Sequence, residues 1–335
     1  FALYYLKNAT PKRAAAFAAA ALCVFGSNAA YGVLRCALYQ PQGEQITAAA
    51  VQGNISSSEK WDEKTNSTLD VHEKLTREAA AAGADLILWP ETALPYVYSA
   101  GGKLDTYLTD LAEEAGVPIF AGFFIQDKER RLYNVIGQAD PDTGVGDTFY
   151  KKRRLVPFGE FVPLRELVMF LIPPLSQLSA LDNDVTPGED PELFETPYGK
   201  IGSVICFDSI YETLILDSVR TGANLICIST NDSWFGDSAA VYEHNSHAKL
   251  RAVETGRYVV RAANTGISSI ITPTGKVTES LPPLAEGYIL DDVYMISEHT
   301  LYTIVGNILV LAAGVYTVAL FLWPAGDKKR KENPA

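Results

Sequence analysis

Residues 84–91 read Ala-Asp-Leu-Ile-Leu-Trp-Pro-Glu, an apolar run that stops at a proline and a carboxylate. The apolar run Ala84–Trp89, with Asp85 its one charged residue, predicts a strand covered on both faces. Upstream, Thr65 to Ala82 carries Leu69, Val71, Leu75 and Ala79 at helical spacing, and Ile46 to Asn54 is a compact apolar run that predicts a first strand. Downstream, Leu104 to Ala115 predicts a helix closed by Gly116, and Val117–Ile125 and Leu132–Ala139 predict strands before a Pro141-Asp142-Gly144 turn. The alternation resumes with a strand at Ile201–Cys206, a helix over Ser209–Thr221 and a strand at Leu225–Ser229. A helix over Tyr242–Thr255, closed by Gly256, and strands at Tyr258–Ala263 and Ile267–Thr272 complete it. Strands and helices alternating through short loops predict an α/β layered domain with buried, mixed sheets.

The chain has 335 residues, of which 47% are hydrophobic, and a net charge of −12 from 40 acidic and 28 basic residues. An acidic chain without a basic tract in its middle argues against a nucleic-acid partner. Four cysteines without CxxC or Cys/His spacing predict neither a disulfide framework nor a zinc site. His244 and His247 lie three apart on a predicted helix, outside any HExxH frame, so no metal or other cofactor is expected.

Two segments, Ala14–Leu34 and Leu301–Trp323, contain no charged residue. Each is about 21–23 residues long, enough to span a ~30 Å hydrocarbon core as a helix. The alternatives are a signal peptide for the first and a buried core helix for the second. Lys7, Lys12 and Arg13 precede the first segment, and Lys328, Lys329, Arg330 and Lys331 follow the second. The positive-inside rule then places both chain ends in the cytoplasm and the domain between them on the outer face. The expected layout is a basic flank at 1–13, a span at 14–36, an extracytoplasmic domain at 37–298, a span at 299–323 and a basic tail at 324–335. Phe1 in place of a starting Met suggests that something upstream is missing. Within the domain, 164–188 pairs an apolar Leu-Val-Met-Phe-Leu-Ile-Pro-Pro-Leu run with a polar Asp-Asn-Asp stretch. It reads either as a surface loop or as a membrane-dipping lid beside the site.

Three residues carry the chemistry. Glu91 ends one predicted strand, Cys206 ends another, and a lysine stands in Tyr-Lys-Lys-Arg-Arg-Leu-Val-Pro-Phe-Gly-Glu. A carboxylate can take a thiol proton, the thiolate can attack a carbonyl, and an ammonium can stabilise the oxyanion. The backbone N–H after Cys206 would be a second donor, and a helix starting near Ser209 would lower the thiol pKa. Residue pattern alone leaves Lys151 and Lys152 both open. Cys206 could also be a core cysteine, as Cys227 in Asn-Leu-Ile-Cys-Ile-Ser is expected to be.

Val-Gln-Gly-Asn-Ile at 51–55, Trp-Pro-Glu-Thr at 89–92, Leu-Val-Pro-Phe-Gly-Glu-Phe-Val-Pro at 155–163 and Thr-Asn-Asp-Ser-Trp-Phe-Gly-Asp at 230–237 resemble the apolipoprotein N-acyltransferases. So do Glu-Thr-Gly-Arg at 254–257 and Arg-Ala-Ala-Asn-Thr-Gly-Ile at 261–267. These enzymes are the membrane branch of the nitrilase superfamily. The resemblance implies an αββα sandwich flanked by transmembrane helices, with Glu91, Lys152 and Cys206 as the catalytic triad; it selects Lys152 over Lys151. It further implies a second carboxylate at Glu160, a substrate-handling Trp61, and supporting or substrate-binding roles for Phe207, Asp208, Asn231 and Trp234.

The reaction implied is ping-pong. An acyl chain moves from a phospholipid to Cys206 as a thioester, then to the α-amine of an S-diacylglyceryl-cysteine apolipoprotein. The bilayer is the third partner, and the outer face of a bacterial plasma membrane is the implied location. Two features depart from the family: Phe207-Asp208 replaces Tyr-Glu, and two helices stand where the family has a bundle of about eight. A membrane-tethered amidase and a non-catalytic lipoprotein-binding homologue are the alternatives.

Overall fold

The computed structural model describes residues 11–56, 65–165 and 184–322. Trp61 and most of the 164–188 segment lie outside the described residues.

The chain begins with helix α1 (Pro11–Leu38) and enters the domain through strand β1 (Glu44–Gln52). The first half continues with α2 (Thr65–Ala81), β2 (Leu86–Leu88), β3 (Val97–Tyr98), α3 (Lys103–Ala115), β4 (Ile119–Gln126), β5 (Leu132–Asp140) and β6 (Gly144–Lys151). The second half runs β7 (Leu193–Thr196), β8 (Gly199–Ile205), a 3-10 turn (Cys206–Ile210), α4 (Glu212–Thr221), β9 (Leu225–Thr230), α5 (Ala239–Thr255) and β10 (Val259–Ala263). It closes with β11 (Ser268–Ile271), β12 (Val277–Leu281), β13 (Gly287–Met295), α6 (Leu301–Val305) and α7 (Ile308–Leu322).

Two sheets result. One orders its strands β13-β1-β2-β4-β5-β6, with β3 beside β4; the other orders them β12-β11-β10-β9-β8-β7. Each has a parallel heart, β1-β2-β4 in one and β8-β9-β10 in the other, and antiparallel flanks. The strand period of two sorts side chains between two apolar layers. Ala48, Ala50, Leu86, Leu88 and Phe120 face the second sheet and share one cluster with Val204, Ile226 and Ile228. Their neighbours Ala49, Val51, Ile87, Trp89 and Ala121 face outward, against Leu75 and Ala79 of α2 and Leu108 and Leu111 of α3. Helices α4 and α5 cover the other sheet through Ile215, Val219, Ala248 and Ala252. The order is helix, sheet, sheet, helix. A strand buried on both faces has no polar side to show, hence the unbroken apolar run Leu86–Trp89.

Strand β13 pairs with β1 along its whole length, from Glu44 opposite Met295 to Gln52 opposite Gly287. It joins the last part of the domain to the first strand. Its two-residue alternation is diluted by Asp291 and Asp292, and β6, β7, β12 and β13 are all absent from the periodicity reading.

The apolar ends differ from each other. Helix α1 carries a 25-residue apolar stretch, Ala14–Leu38, long enough to cross a membrane. Leu22, Phe25 and Val33 on it are exposed. The expected second span is not one helix. Gly306, at φ 55° and ψ −139°, breaks it after Val305. The short α6 docks on the domain, with Thr303 buried and its carbonyl accepting from Arg220 Nε at 2.8 Å. Docking uses up the start of the segment, which leaves 15 described residues in α7. Among the described residues, one helix is long and apolar enough to span.

Candidate active site

Both parallel hearts deliver their functional groups at carboxyl ends of strands, where backbone leaves the ladder and side chains can converge. Strand β2 ends at Leu88, and Trp89-Pro90 carries the chain to Glu91. The following Thr92 adopts φ 44°. This turn lies directly on β4: a Cβ at Gly122 would stand 2.6 Å from both Pro90 O and Thr92 N. Glycine at 122 is therefore what lets the Glu91 turn sit so low.

The Glu91 carboxylate is buried and held from three sides. Its Oε1 accepts from Lys152 Nζ at 2.8 Å and from Asn134 Nδ2 at 2.8 Å, and its Oε2 from the Asn231 N–H at 3.0 Å. Lys152 follows β6 and is 2% exposed. Lys151, one residue earlier, points the other way and lies over the Tyr133 ring. Alternation along β6 thus separates the two lysines. Lys152 Nζ also donates to Glu160 Oε1 at 2.9 Å. Burial alone would favour a neutral amine, but the carboxylates of Glu91 and Glu160 outweigh it and hold the ammonium well above its ordinary pKa. Glu160 Oε2 accepts from the Val156 N–H at 2.9 Å, which closes the Val-Pro-Phe-Gly-Glu turn on itself.

Cys206 leaves β8 at φ 48°, in the left-handed region that costs a non-glycine residue on the order of 1–3 kcal/mol. It is the first residue of the 3-10 turn, and helix α4 starts only at Glu212. The expected helix start near Ser209 is therefore one turn too early. Burial pushes the Cys206 thiol well up and the Glu91 carboxylate adds to it, while Lys152 and a Thr230 hydrogen bond pull it down. Cys206 opens a 3-10 turn rather than the α-helix expected near Ser209, and burial outweighs Lys152, so the thiol stands above its ordinary range rather than below it.

Asp208 ties the two halves of the site together. It is fully buried and accepts from Tyr150 Oη at 2.9 Å, the Arg154 N–H at 2.6 Å, and the Arg153 and Ile205 N–H groups at 3.3 Å. Burial pushes its pKa up to about 6 against the nearby Lys152 ammonium and these donors. One carboxylate thus fixes both the segment after Lys152 and the strand end before Cys206. Phe207 packs edge-on against Tyr211 at 5.4 Å. Asn231 follows β9 and binds Glu91 through its backbone, while its Oδ1 accepts from Asn264 Nδ2 at 3.2 Å. Trp234 is 73% exposed and reaches none of these groups.

The chain belongs to the carbon-nitrogen hydrolase family. The model of that family matches residues 47–296, nearly the whole of the two-sheet domain. The chain is 33% identical over 305 residues to an apolipoprotein N-acyltransferase of Gloeobacter violaceus, covering 90% of this chain and 58% of that protein. A relative of the same name from Geobacter metallireducens is 35% identical over 308 residues, covering 87% and 56%. The chain therefore spans somewhat over half the length of these relatives. Among solved structures, an amidase mutant from Nesterenkonia sp. AN1, with the acetamide moiety of fluoroacetamide added at its active site cysteine, superposes with a TM-score of 0.59. Its identity is 18%, and the match covers 82% of this chain and 98% of the amidase. Nit3 of Saccharomyces cerevisiae, of branch 10 of the nitrilase superfamily, gives 0.56 at 17% identity, covering 87% and 98%. At such identities the likeness concerns the fold. It places this carbon-nitrogen hydrolase domain among nitrilase-like two-sheet structures.

Several residues of the site escape a reading of the sequence. Asn134 lies mid-strand in β5 and gives no motif signal, yet it bonds both Glu91 and Glu160, at 2.8 and 3.2 Å. Behind Cys206 lies a second buried group: Asp232, His244 and Arg261. Cys206 Sγ, an Asp232 oxygen and a His244 ring nitrogen all stand within 4.8 Å of one another. That is ligand-like proximity, but these atoms are already engaged. His244 Nδ1 bonds Asp232 Oδ1 at 2.8 Å, and Arg261 Nη2 donates to Asp232 Oδ2 at 2.9 Å. A guanidinium supplies the positive charge that a metal would bring. Burial works against the Asp232 charge, but Arg261 and His244 outweigh it and keep the carboxyl below its ordinary range. Asp232 and Arg261 lie in the quoted motifs at 230–237 and 261–267. His244 lies in none.

Proposed function

We propose that Glu91, Lys152 and Cys206 form the catalytic triad of an N-acyltransferase of lipoprotein maturation. The observation that carries this reading is Lys152, held between Glu91 and Glu160 beside a strained, buried Cys206. An ammonium has three N–H groups. Two are engaged by Glu91 and Glu160, and the third is available to a developing oxyanion.

In the first half-reaction the thiol proton passes to Glu91 as sulfur bonds the ester carbonyl of a phospholipid. The high thiol pKa favours transfer at the moment of attack over a standing thiolate. The oxyanion draws on Lys152 and on the Phe207 N–H. Collapse expels the lysophospholipid alkoxide, which takes the proton from Glu91, and leaves a Cys206 thioester. In the second half-reaction the α-amine of an S-diacylglyceryl-cysteine apolipoprotein attacks, Glu91 takes its proton, and the departing sulfur recovers it. Glu160 and Asp208 position Lys152 and the Cys206 turn; Asn231 orients Glu91. Phe207, Trp234 and Trp61 are assigned to substrate handling.

Both substrates are membrane lipids. The exposed apolar helix Pro11–Leu38 and the apolar Ile308–Leu322 support a domain tethered to the bilayer. Basic residues at both chain ends support an outer-face location in a bacterial plasma membrane. The test is intact-protein mass spectrometry of detergent-purified protein after incubation with phospholipid vesicles, beside Cys206→Ala. An acyl adduct confined to the parent protein is the expected result. An adduct on Cys206→Ala would remove the thiol from the mechanism. A second reading, a tethered amidase, draws on the fold likeness to the Nesterenkonia amidase. Release of ammonia from small amides without lipid acylation would favour it.

A further inference from the structure

The carbonyl of Cys206 is clamped. Ser209 Oγ donates to it at 2.7 Å, and His244 Nε2 stands 3.2 Å from it and 3.1 Å from Ser209 Oγ. On the far side of the ring, His244 Nδ1 meets Asp232 Oδ1 at 2.8 Å. The same nitrogen stands 3.2 Å from Arg261 Nη2, and these two contacts fix the ring's orientation. Arg261 anchors Asp232 in turn. The chain Arg261–Asp232–His244–Ser209 is buried throughout. It ends on one atom, the Cys206 carbonyl oxygen.

A trans peptide is planar, so its C=O and the next N–H point in opposite directions. Whatever fixes the Cys206 carbonyl also aims the Phe207 N–H. Phe207 stands in the first turn of a 3-10 segment, where the turn itself supplies no acceptor for that N–H. Cys206 is also the residue whose backbone is strained, so its peptide needs an external restraint to stay in place.

We propose that His244 and Ser209, backed by Asp232 and Arg261, are positioning residues that set the oxyanion donor of the Cys206 turn through the peptide plane. The inference rests on the acyl-transfer reading of Cys206. None of the four touches the reacting atoms in this role. Each acts on the geometry of one backbone N–H.

The test separates two reactions of the same sulfur. Acylation by p-nitrophenyl butyrate passes through an oxyanion; alkylation by iodoacetamide does not. Both are followed on full-length protein in detergent, by p-nitrophenolate release and by intact mass, for the parent, Ser209→Ala, His244→Ala and His244→Gln. Deleting an oxyanion donor costs ~10²–10³ in rate, and misaiming one costs less. The expected losses in acylation are about 10-fold for Ser209→Ala and up to about 100-fold for His244→Ala, with alkylation within about twofold of the parent. His244→Gln, which keeps a polar tip, is expected to recover part of the loss. Acylation and alkylation falling together would overturn the proposal, because the group would then act on the thiol or on folding. Unchanged acylation in Ser209→Ala and His244→Ala would overturn it as well. Ser209→Ala removes one atom, so it decides the matter even if the histidine variants misfold. A parent protein that alkylates but takes no acyl group overturns the acyl-transfer reading itself, and this proposal with it.

Discussion

Cys206 follows one strand and Cys227 lies within its parallel neighbour, and both are free and buried. Burial raises both thiols well above their ordinary range. They differ in where they sit along the strand. Cys227 is inside β9, opposite Ser203 and Val260 in ladders on both sides. Cys206 is one residue past the end of β8, where the backbone turns left-handed and the side chain meets Lys152, Glu91 and Thr230. Burial alone makes a thiol inert. A strand end adds partners that a strand interior cannot supply, because ladder hydrogen bonds and apolar neighbours already fill its surroundings. The difference between a core cysteine and a proposed nucleophile here is one of backbone position.

The comparison breaks most sharply at the sulfur atoms themselves. Cys206→Ala is expected to abolish the acyl adduct, while Cys227→Ala retains it; mass spectrometry of both variants decides. Next in size is Lys152→Met, which leaves the buried Glu91 and the partly buried Glu160 beside each other without their cation. Breaking a buried pair by removing one partner costs roughly 3–5 kcal/mol. A thermal melt of detergent-solubilised Lys152→Met should fall accordingly, and an unchanged melting temperature would refute the assigned pairing.

Asp208 gives a pH test of the clamp beside Cys206. Its folded pKa of about 6 lies above the ordinary 3.8, so the native state binds this proton more tightly than the unfolded chain. The stabilisation is complete below the unfolded pKa and is lost as pH rises through about 6. The swing is about 2–3 kcal/mol at ~1.4 kcal/mol per pKa unit. Melting temperature against pH for the parent and Asp208→Asn should diverge over this window. Parallel profiles would contradict the assignment. The smallest effect belongs to the control thiol: Cys227→Ala should cost about 1 kcal/mol of stability, as a small core truncation does. Urea unfolding is the measurement, and a change in acylation rate there would erase the contrast.

Most of the sandwich was legible because its inner strands are covered twice. Apolar runs at 46–54, 84–89, 201–206 and 225–229 all became strands of the parallel hearts. Helices at 65–81 and 103–115 followed from their apolar spacing, and Gly116 closes the second at φ 68°. Edge strands β6, β7, β12 and β13 were not legible, since one-sided burial and exposed charge erase the pattern. The docked α6 was hidden for a different reason. Hydrophobicity does not distinguish a turn that packs on protein from one that faces lipid, and Gly306 is the sole local hint of the break.

Local order along the chain specified the elements and the chemical types at their ends: a carboxylate after one strand, lysines after another, a thiol after a third. Side-chain period and strand length act over a few residues, so they survive in a linear reading. Which atoms meet was settled elsewhere. Asn134 joins Glu91 to Glu160, Asp208 ties Tyr150 to the Cys206 turn, and His244 reaches the Cys206 carbonyl across 38 residues. The first runs along one sheet, the second crosses between the sheets, and the third comes from the helix Ala239–Thr255 onto the strand end it covers. All three depend on three-dimensional register, and nothing in the spacing of the partners along the chain records it.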